Sequence, residues 1–275
     1  MDAKDRSREI WDEMAPGWER QSRLIWRNSE PLARWMVDAL DPSPGQTILD
    51  IAAGPGDTGF LAAERGARLI STDFAPEMTA VAARAAKARG FDNVESRQLD
   101  AEKMDLPDAS VDGILCRWGF MLMQDPAAAL SECKRVLRGG GRLVFSVWGA
   151  PSANPWVTIP TTVAVSQGLI EPPDGRAPGG MFSMADERVV RAMLRDAGFQ
   201  RIELSTLPMT WQYDGDFDSV WSFYTELAGA VAALVKSVPS ETLAAFKDGV
   251  RAAADEYRTE SGYAIPGETL NGVVS

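Results

Sequence analysis

Histidine is absent from this chain of 275 residues. That removes the commonest general base near neutral pH and the commonest ligand of transition metals. Cysteine appears only twice, at Cys116 and Cys133. Two are too few for a disulfide framework, so no metal site is expected and a reduced, cytoplasmic setting follows. Apolar runs of membrane-spanning length are missing, and the polar start, Met1 to Arg6, lacks the apolar core of a signal peptide. Positive charge is in the minority: 28 Lys and Arg stand against 39 Asp and Glu, for a net charge of −11. Such a chain repels phosphate backbones and anionic membrane surfaces, which argues against nucleic-acid and membrane partners. A small-molecule acceptor is the expected partner, and the oligomeric state is not legible.

The apolar share of 45% and charged share of 24% are those of an ordinary globule, long enough for one large domain. Its organising stretch is residues 48–59, Ile-Leu-Asp-Ile-Ala-Ala-Gly-Pro-Gly-Asp-Thr-Gly. An apolar strand runs into a turn of small residues, and a helical period follows from Phe60. Such a turn brings backbone N–H groups and a helix N-terminus close to a nucleotide-type ligand. Gly54, Gly56 and Gly59 satisfy the dinucleotide spacing, with Asp73 about 20 residues on. Asp50 argues otherwise. A carboxylate beside the pocket repels a pyrophosphate, whereas the sulfonium and ammonium of S-adenosyl-L-methionine (SAM) favour one.

Asp50-Ile-Ala-Ala-Gly54-Pro-Gly56 resembles motif I of the class I SAM-dependent methyltransferases. Ser71-Thr-Asp73-Phe-Ala-Pro-Glu-Met78 resembles their second-strand acid and following helix. Leu99-Asp100-Ala101-Glu102 resembles the adenine-side loop, and Arg135 to Val144 resembles the turn into the fifth strand. The nearest likeness is to the type 11 group, which includes the ubiquinone and menaquinone-biosynthesis methyltransferases.

That resemblance implies roles. Ala52, Gly54, Pro55 and Gly56 approach the methionine part of SAM, with Asp50 nearby. Asp73 accepts from the ribose hydroxyls, and Phe74 and Met78 flank the adenine. Asp100, Ala101 and Glu102 border the adenine, and Arg117 orients an anionic acceptor or the SAM carboxylate. Trp118, Phe120 and Met121 offer the acceptor an apolar wall. Trp18 falls where the quinone-pathway relatives have a tyrosine near the cofactor. Trp11 and Trp35 read as core packing. Those relatives carry an Arg-Asn pair where this chain has Met121 and Leu122, which sets quinone methylation in doubt. The expected reaction is methyl transfer to an oxygen or carbon of an apolar or aromatic acceptor of natural-product type. No base stands out; Tyr213, Tyr224 and Asp125 are the weak catalytic candidates. Two alternatives stay open: a nicotinamide-dependent reductase, which would leave Asp50 and the Asp100 loop unexplained, and a non-catalytic SAM-binding protein.

Apolar periodicity alternates strand and helix from residue 47 to 148, the pattern of a parallel sheet covered on both faces. The expected fold is α/β, Rossmann-like, with a seven-stranded, mostly parallel sheet, N-terminal helices and a lid insertion. Within a single methyltransferase domain, residues 1–44 form a helical cap broken near residues 28–31. Residues 45–150 form the SAM-binding core and 151–184 the lid. Residues 185–275 hold a sixth strand at 201–207, helices at 217–237 and 240–260, and a seventh strand at 267–275. The resemblance alone places that last strand antiparallel between the fifth and sixth.

Overall fold

In the computed structural model, residues 3–227 and 229–275 are described. Two helices lead, α1 (Ala3–Arg20) and α2 (Ser22–Leu40). The core then alternates: β1 (Thr47–Ile51), α3 (Asp57–Glu64), β2 (Arg68–Asp73), α4 (Pro76–Ala88), β3 (Val94–Gln98), β4 (Val111–Arg117), α5 (Pro126–Val136) and β5 (Leu137–Trp148). Next come α6 (Pro155–Ser166), α7 (Glu187–Asp196), β6 (Ile202–Asp214), α8 (Phe217–Leu227), α9 (Gly229–Ser237), α10 (Ser240–Ala254) and β7 (Gly262–Val274). Among the described residues the strands form one sheet in the order β3-β2-β1-β4-β5-β7-β6. β1 is buried along nearly its whole length and pairs in parallel with β2 and β4, placing Asp50 opposite Ser71 and Leu115. The strand order reverses between β1 and β4, where open α/β sheets leave a ligand crevice at their carboxyl ends. β7 runs antiparallel to both β5 and β6, as expected.

Boundaries differ from expectation: the last helix stops at Ala254, β7 starts at Gly262, and two larger shifts have a packing reason. The break between the leading helices lies at Gln21, and Pro31 sits inside α2. The apolar stripe Ile25, Leu32, Met36 and Leu40 continues through the proline, so the buried face outweighs the backbone bond it removes. Asn28 anchors that stretch: its amide donates to Leu24 O (3.0 Å) and Gln212 O (3.2 Å), and its oxygen accepts from Gln212 N (2.8 Å). β6 runs seven residues beyond Leu207 because β7 pairs with it throughout. Its alternation of Met209, Trp211 and Tyr213 with Thr210, Gln212 and Asp214 turns the second and third of those large side chains inward. The helical stretch 217–237 is α8 and α9, and residue 228 between them lies outside the described residues.

Replacing Asn28 with Ala takes the side-chain acceptor from the part-buried Gln212 N–H, while the Gln212 carbonyl keeps the Arg27 guanidinium. A loss of about 1–3 kcal/mol in unfolding free energy is expected. Urea melts of the two proteins measure it.

Candidate functional site

The turn after β1 is shaped by two carboxylates. Ala52, Gly54 and Gly56 all take left-handed φ values, of 52°, 54° and 91°. A Cβ on Gly54 would meet nothing within 4 Å, so its backbone lies open toward the crevice. Asp73, ending β2, accepts from Gly54 N and Ala75 N, both at 3.0 Å, and lines the cavity above the turn. Burial lifts its pKa to about 6. Asp50 behaves differently from expectation. It is buried behind the turn, off the cavity, and accepts from Gly59 N at 3.0 Å. Burial raises its pKa to about 7, opposed by the Arg117 guanidinium and the Gly59 N–H. Its role is to hold the first turn of α3. Gly56 also lies off the cavity, with the Phe60 ring where a side chain would stand.

The cavity at the carboxyl ends of β1, β2 and β4 encloses about 1430 Å³ between protein atoms, part of it open to solvent. One half is lined by Ala52, Gly54, Pro55, Asp73, Phe74, Met78, Asp100, Ala101 and Glu102. Above it α1 sends Lys4 to Asp100 (2.5 Å) and Glu102 (2.7 Å), and Trp11 to the wall. The other oxygen of Glu102 accepts from Gln124 N (2.9 Å) and Asp125 N (3.1 Å). Lys4 had no sequence signal. Trp11, read as core, is a cavity residue because α1 lies across the opening. Asp125 is exposed and caps α5, accepting from Ala128 N at 2.9 Å, and lies off the cavity.

Arg117 joins the two halves. Its Nε donates to Thr58 Oγ1 (2.7 Å) in the first turn of α3, while Nη1 is buried with no partner in the protein. Burial lowers its pKa, opposed by the charges of Asp57 and Asp50. A guanidinium with a free N–H at a helix N-terminus suits a carboxylate. Together with the open backbone at Gly54 and the carboxylate of Asp73, it fits the amino-acid and ribose parts of SAM.

The second half is aromatic. Trp118 stacks on Trp148 (centroids 4.4 Å apart), and Trp156 stacks on Trp211 (4.7 Å), with Phe223 5.0 Å beyond. Trp118 holds a φ of 61°, unusual for so bulky a residue, and its backbone N–H donates to Ser146 O at 2.7 Å. Trp18, Met121 and Leu122 also line this space. α1 meets α8 backbone to backbone at Gly17, where a Cβ would stand 2.5 Å from Glu226 O, and this seats Trp18 in the wall. Met181, Trp156 and Val157 of the insertion line the cavity too, and Ser183 Oγ donates to Met121 O at 2.7 Å. Phe120 departs from expectation. It is fully buried under the wall, edge-on to Phe145 at 5.8 Å. Of the tyrosine candidates, Tyr224 lines the cavity and Tyr213 does not. Burial raises both phenol pKa values, so neither is poised as a base. Trp148, Trp156, Trp211 and Phe223 were not foreseen; the period-two pattern of β6 marks Trp211, while nothing local marks Trp156.

The raised values of Asp50 and Asp73 have a consequence for stability. Between the unfolded carboxylate value of about 3.9 and these folded values, the native protein binds more protons than the unfolded chain. Their contribution therefore falls as pH rises through that window. Asp50→Asn keeps an oxygen for the Gly59 N–H and removes the titration. Its unfolding free energy relative to wild type is expected to rise from pH ~4 to ~7 and level off above ~8. Denaturant melts across that range test this, and a difference independent of pH would contradict it.

Residues 49–145 match the family model described as a methyltransferase domain. The chain is 33% identical over 222 residues to the demethylmenaquinone methyltransferase of Thermus thermophilus, covering 75% of this chain and 99% of that one. The corresponding enzyme of Clavibacter sepedonicus is 28% identical over 204 residues, or 70% of this chain and 82% of its own. In fold, a Bacillus halodurans structure described as a candidate methyltransferase aligns with a TM-score of 0.56 at 21% identity, covering 88% of this chain and 97% of that one. The reductase reading of the glycine spacing is thereby set aside. The chain belongs to the class I SAM-dependent methyltransferases, enzymes that draw their methyl group from S-adenosyl-L-methionine.

Proposed function

We propose that the enzyme methylates an oxygen or carbon of a small aromatic or apolar acceptor, and that the acceptor lies against the tryptophan-lined half of the cavity. The observation that carries this reading is the contrast between the two halves: three carboxylates line one, and stacked indoles line the other. In the first half, the backbone of Ala52, Gly54 and Pro55 faces the methionine part of the cofactor, and Arg117 its carboxylate. Asp73 holds the ribose. Phe74 and Met78 flank the adenine, which Asp100 and Ala101 read at its edge; Glu102 keeps Lys4 and α1 in place. Residues 1–44 and 151–184 act as covers over the 45–150 core. Among the described residues no helix is long and apolar enough to cross a membrane. Cysteine use and the charge of −11 support a cytoplasmic setting and no nucleic-acid partner.

When bound, SAM supplies a methyl group on a sulfonium, open to in-line displacement by an electron pair of the acceptor. The protein's part is to stack the acceptor, exclude water and align the two ligands; such positioning can supply on the order of 7–11 kcal/mol. Tyr224, kept protonated by burial, is able to donate a hydrogen bond and does not serve as a base. A demethylated quinone is the acceptor named for the relatives. Met121 and Leu122 line this cavity where the quinone-pathway enzymes carry Arg-Asn, which favours a different aromatic acceptor.

Asp73→Ala is expected to weaken SAM binding at least about tenfold, or roughly 1.5–3 kcal/mol, by titration calorimetry. With a series of phenols, the acidic limb of the rate profile is expected to move with each acceptor's own pKa. A limb fixed at one pH across the series would identify a base in the protein and refute the positioning reading. Demethylmenaquinol included in the same panel is expected to turn over more slowly than the best phenol; the reverse would make it the acceptor.

A further inference from the structure

We infer that the acceptor half of the cavity is a donating receptor. In it the Tyr224 hydroxyl and the indole N–H groups of Trp118 and Trp211 hold an acceptor by its oxygen and reject an ammonium group. This rests on the proposed transfer to an oxygen-bearing aromatic. Buried polar atoms in folded proteins nearly always have partners. Here Trp18 Nε1, Trp118 Nε1, Trp211 Nε1, Tyr224 Oη and Arg117 Nη1 have none, and all five residues line the same cavity. Trp156, whose indole N–H donates to Asn154 Oδ1 at 3.1 Å, is already satisfied.

The unpaired atoms share a chemistry. An indole or guanidinium N–H can only donate, and a phenol held protonated donates readily. Arg117 is taken by the cofactor's carboxylate in the proposed arrangement, which leaves the indoles and Tyr224 to the acceptor. Charge points the same way. Asp73, Asp100 and Glu102 stand beyond β2 and β3, and the last two are paired with Lys4. The wall built from β4 to α8 contributes Arg117, its guanidinium 4.5 Å from the Trp118 ring centre, and no carboxylate. A cation is held by an aromatic ring whose face is open to it. These indoles are stacked on one another in pairs, so their faces are turned to each other. An ammonium entering here would lose its water and gain at most the Tyr224 oxygen as an acceptor.

Three probes on one ring system separate the terms: 2-acetylnaphthalene, naphthalene and 2-naphthylmethylammonium. Each is titrated into protein loaded with S-adenosylhomocysteine, with binding read by quenching of tryptophan emission. The acetyl compound is expected to bind about tenfold more tightly than naphthalene, and the ammonium compound more weakly than naphthalene. Tyr224→Phe, and separately Trp211→Phe, are expected to remove most of the acetyl advantage over naphthalene measured in the same variant, while leaving S-adenosylhomocysteine affinity in place. Tyr224→Phe also removes an unpaired buried hydroxyl, so its Tm is expected to be unchanged or higher. An ammonium compound that binds as tightly as the acetyl one overturns the inference, as does an acetyl advantage that survives both substitutions. Failure of the wild-type protein to bind S-adenosylhomocysteine in calorimetry would instead overturn the proposed function on which the inference rests.

Discussion

Two hydrogen bonds from backbone N–H groups to strand-end carboxylates hold the ligand turn in shape. Asp50 takes the N–H of Gly59 and Asp73 takes that of Gly54, each at 3.0 Å. Neighbouring parallel strands bring the two acids to one end of the sheet, so the turn is pinned from behind and from the side. Both carboxylates sit where burial disfavours their charge, and both are stabilised by donors that a helix start or tight turn leaves unpaired. The left-handed residues 52, 54 and 56 are tolerated because these anchors fix the path between β1 and α3.

With the turn fixed, the sheet separates two chemistries. The ends of β1 and β2 and the loop after β3 carry carboxylates and small residues; β4, β5 and β6 bring indoles. Arg117 stands on the boundary, its Nε held by Thr58 and its ring-plane charge over Trp118. Helices α1 and α8 then cover both halves. Lys4 ties α1 to the loop after β3, and the close approach at Gly17 ties it to α8. Closure thus depends on contacts made by two small or flexible residues far apart along one helix.

The aromatic half draws on four separate stretches of chain. Trp118 follows β4, Trp148 ends β5, Trp156 begins α6, and Trp211 lies on the overhanging part of β6. Each ring fills space left by the next, and β6 can carry Trp211 that far only because β7 pairs with it to Asp214. The long β6–β7 pair is therefore part of the acceptor site as well as of the sheet.

What the sequence by itself determined was local or periodic. The glycine turn, the acids at the ends of β1 and β2, the alternating α/β core and the kind of cofactor are all written within short windows. Cysteine and histidine usage likewise bounds the chemistry without any coordinates. Tertiary structure decided which way those residues face. Asp50 turned inward because Gly59 offered it a donor, Phe120 went under the wall against Phe145, and Tyr213 was buried behind Phe223. Lys4 and Trp11 joined the cavity because α1 folds back across it, which no spacing within α1 reveals. Pro31 remained inside a helix because an apolar stripe and Asn28 outweigh one missing bond. Such outcomes depend on contacts between residues far apart in the chain, and those contacts exist only once the sheet has brought them together.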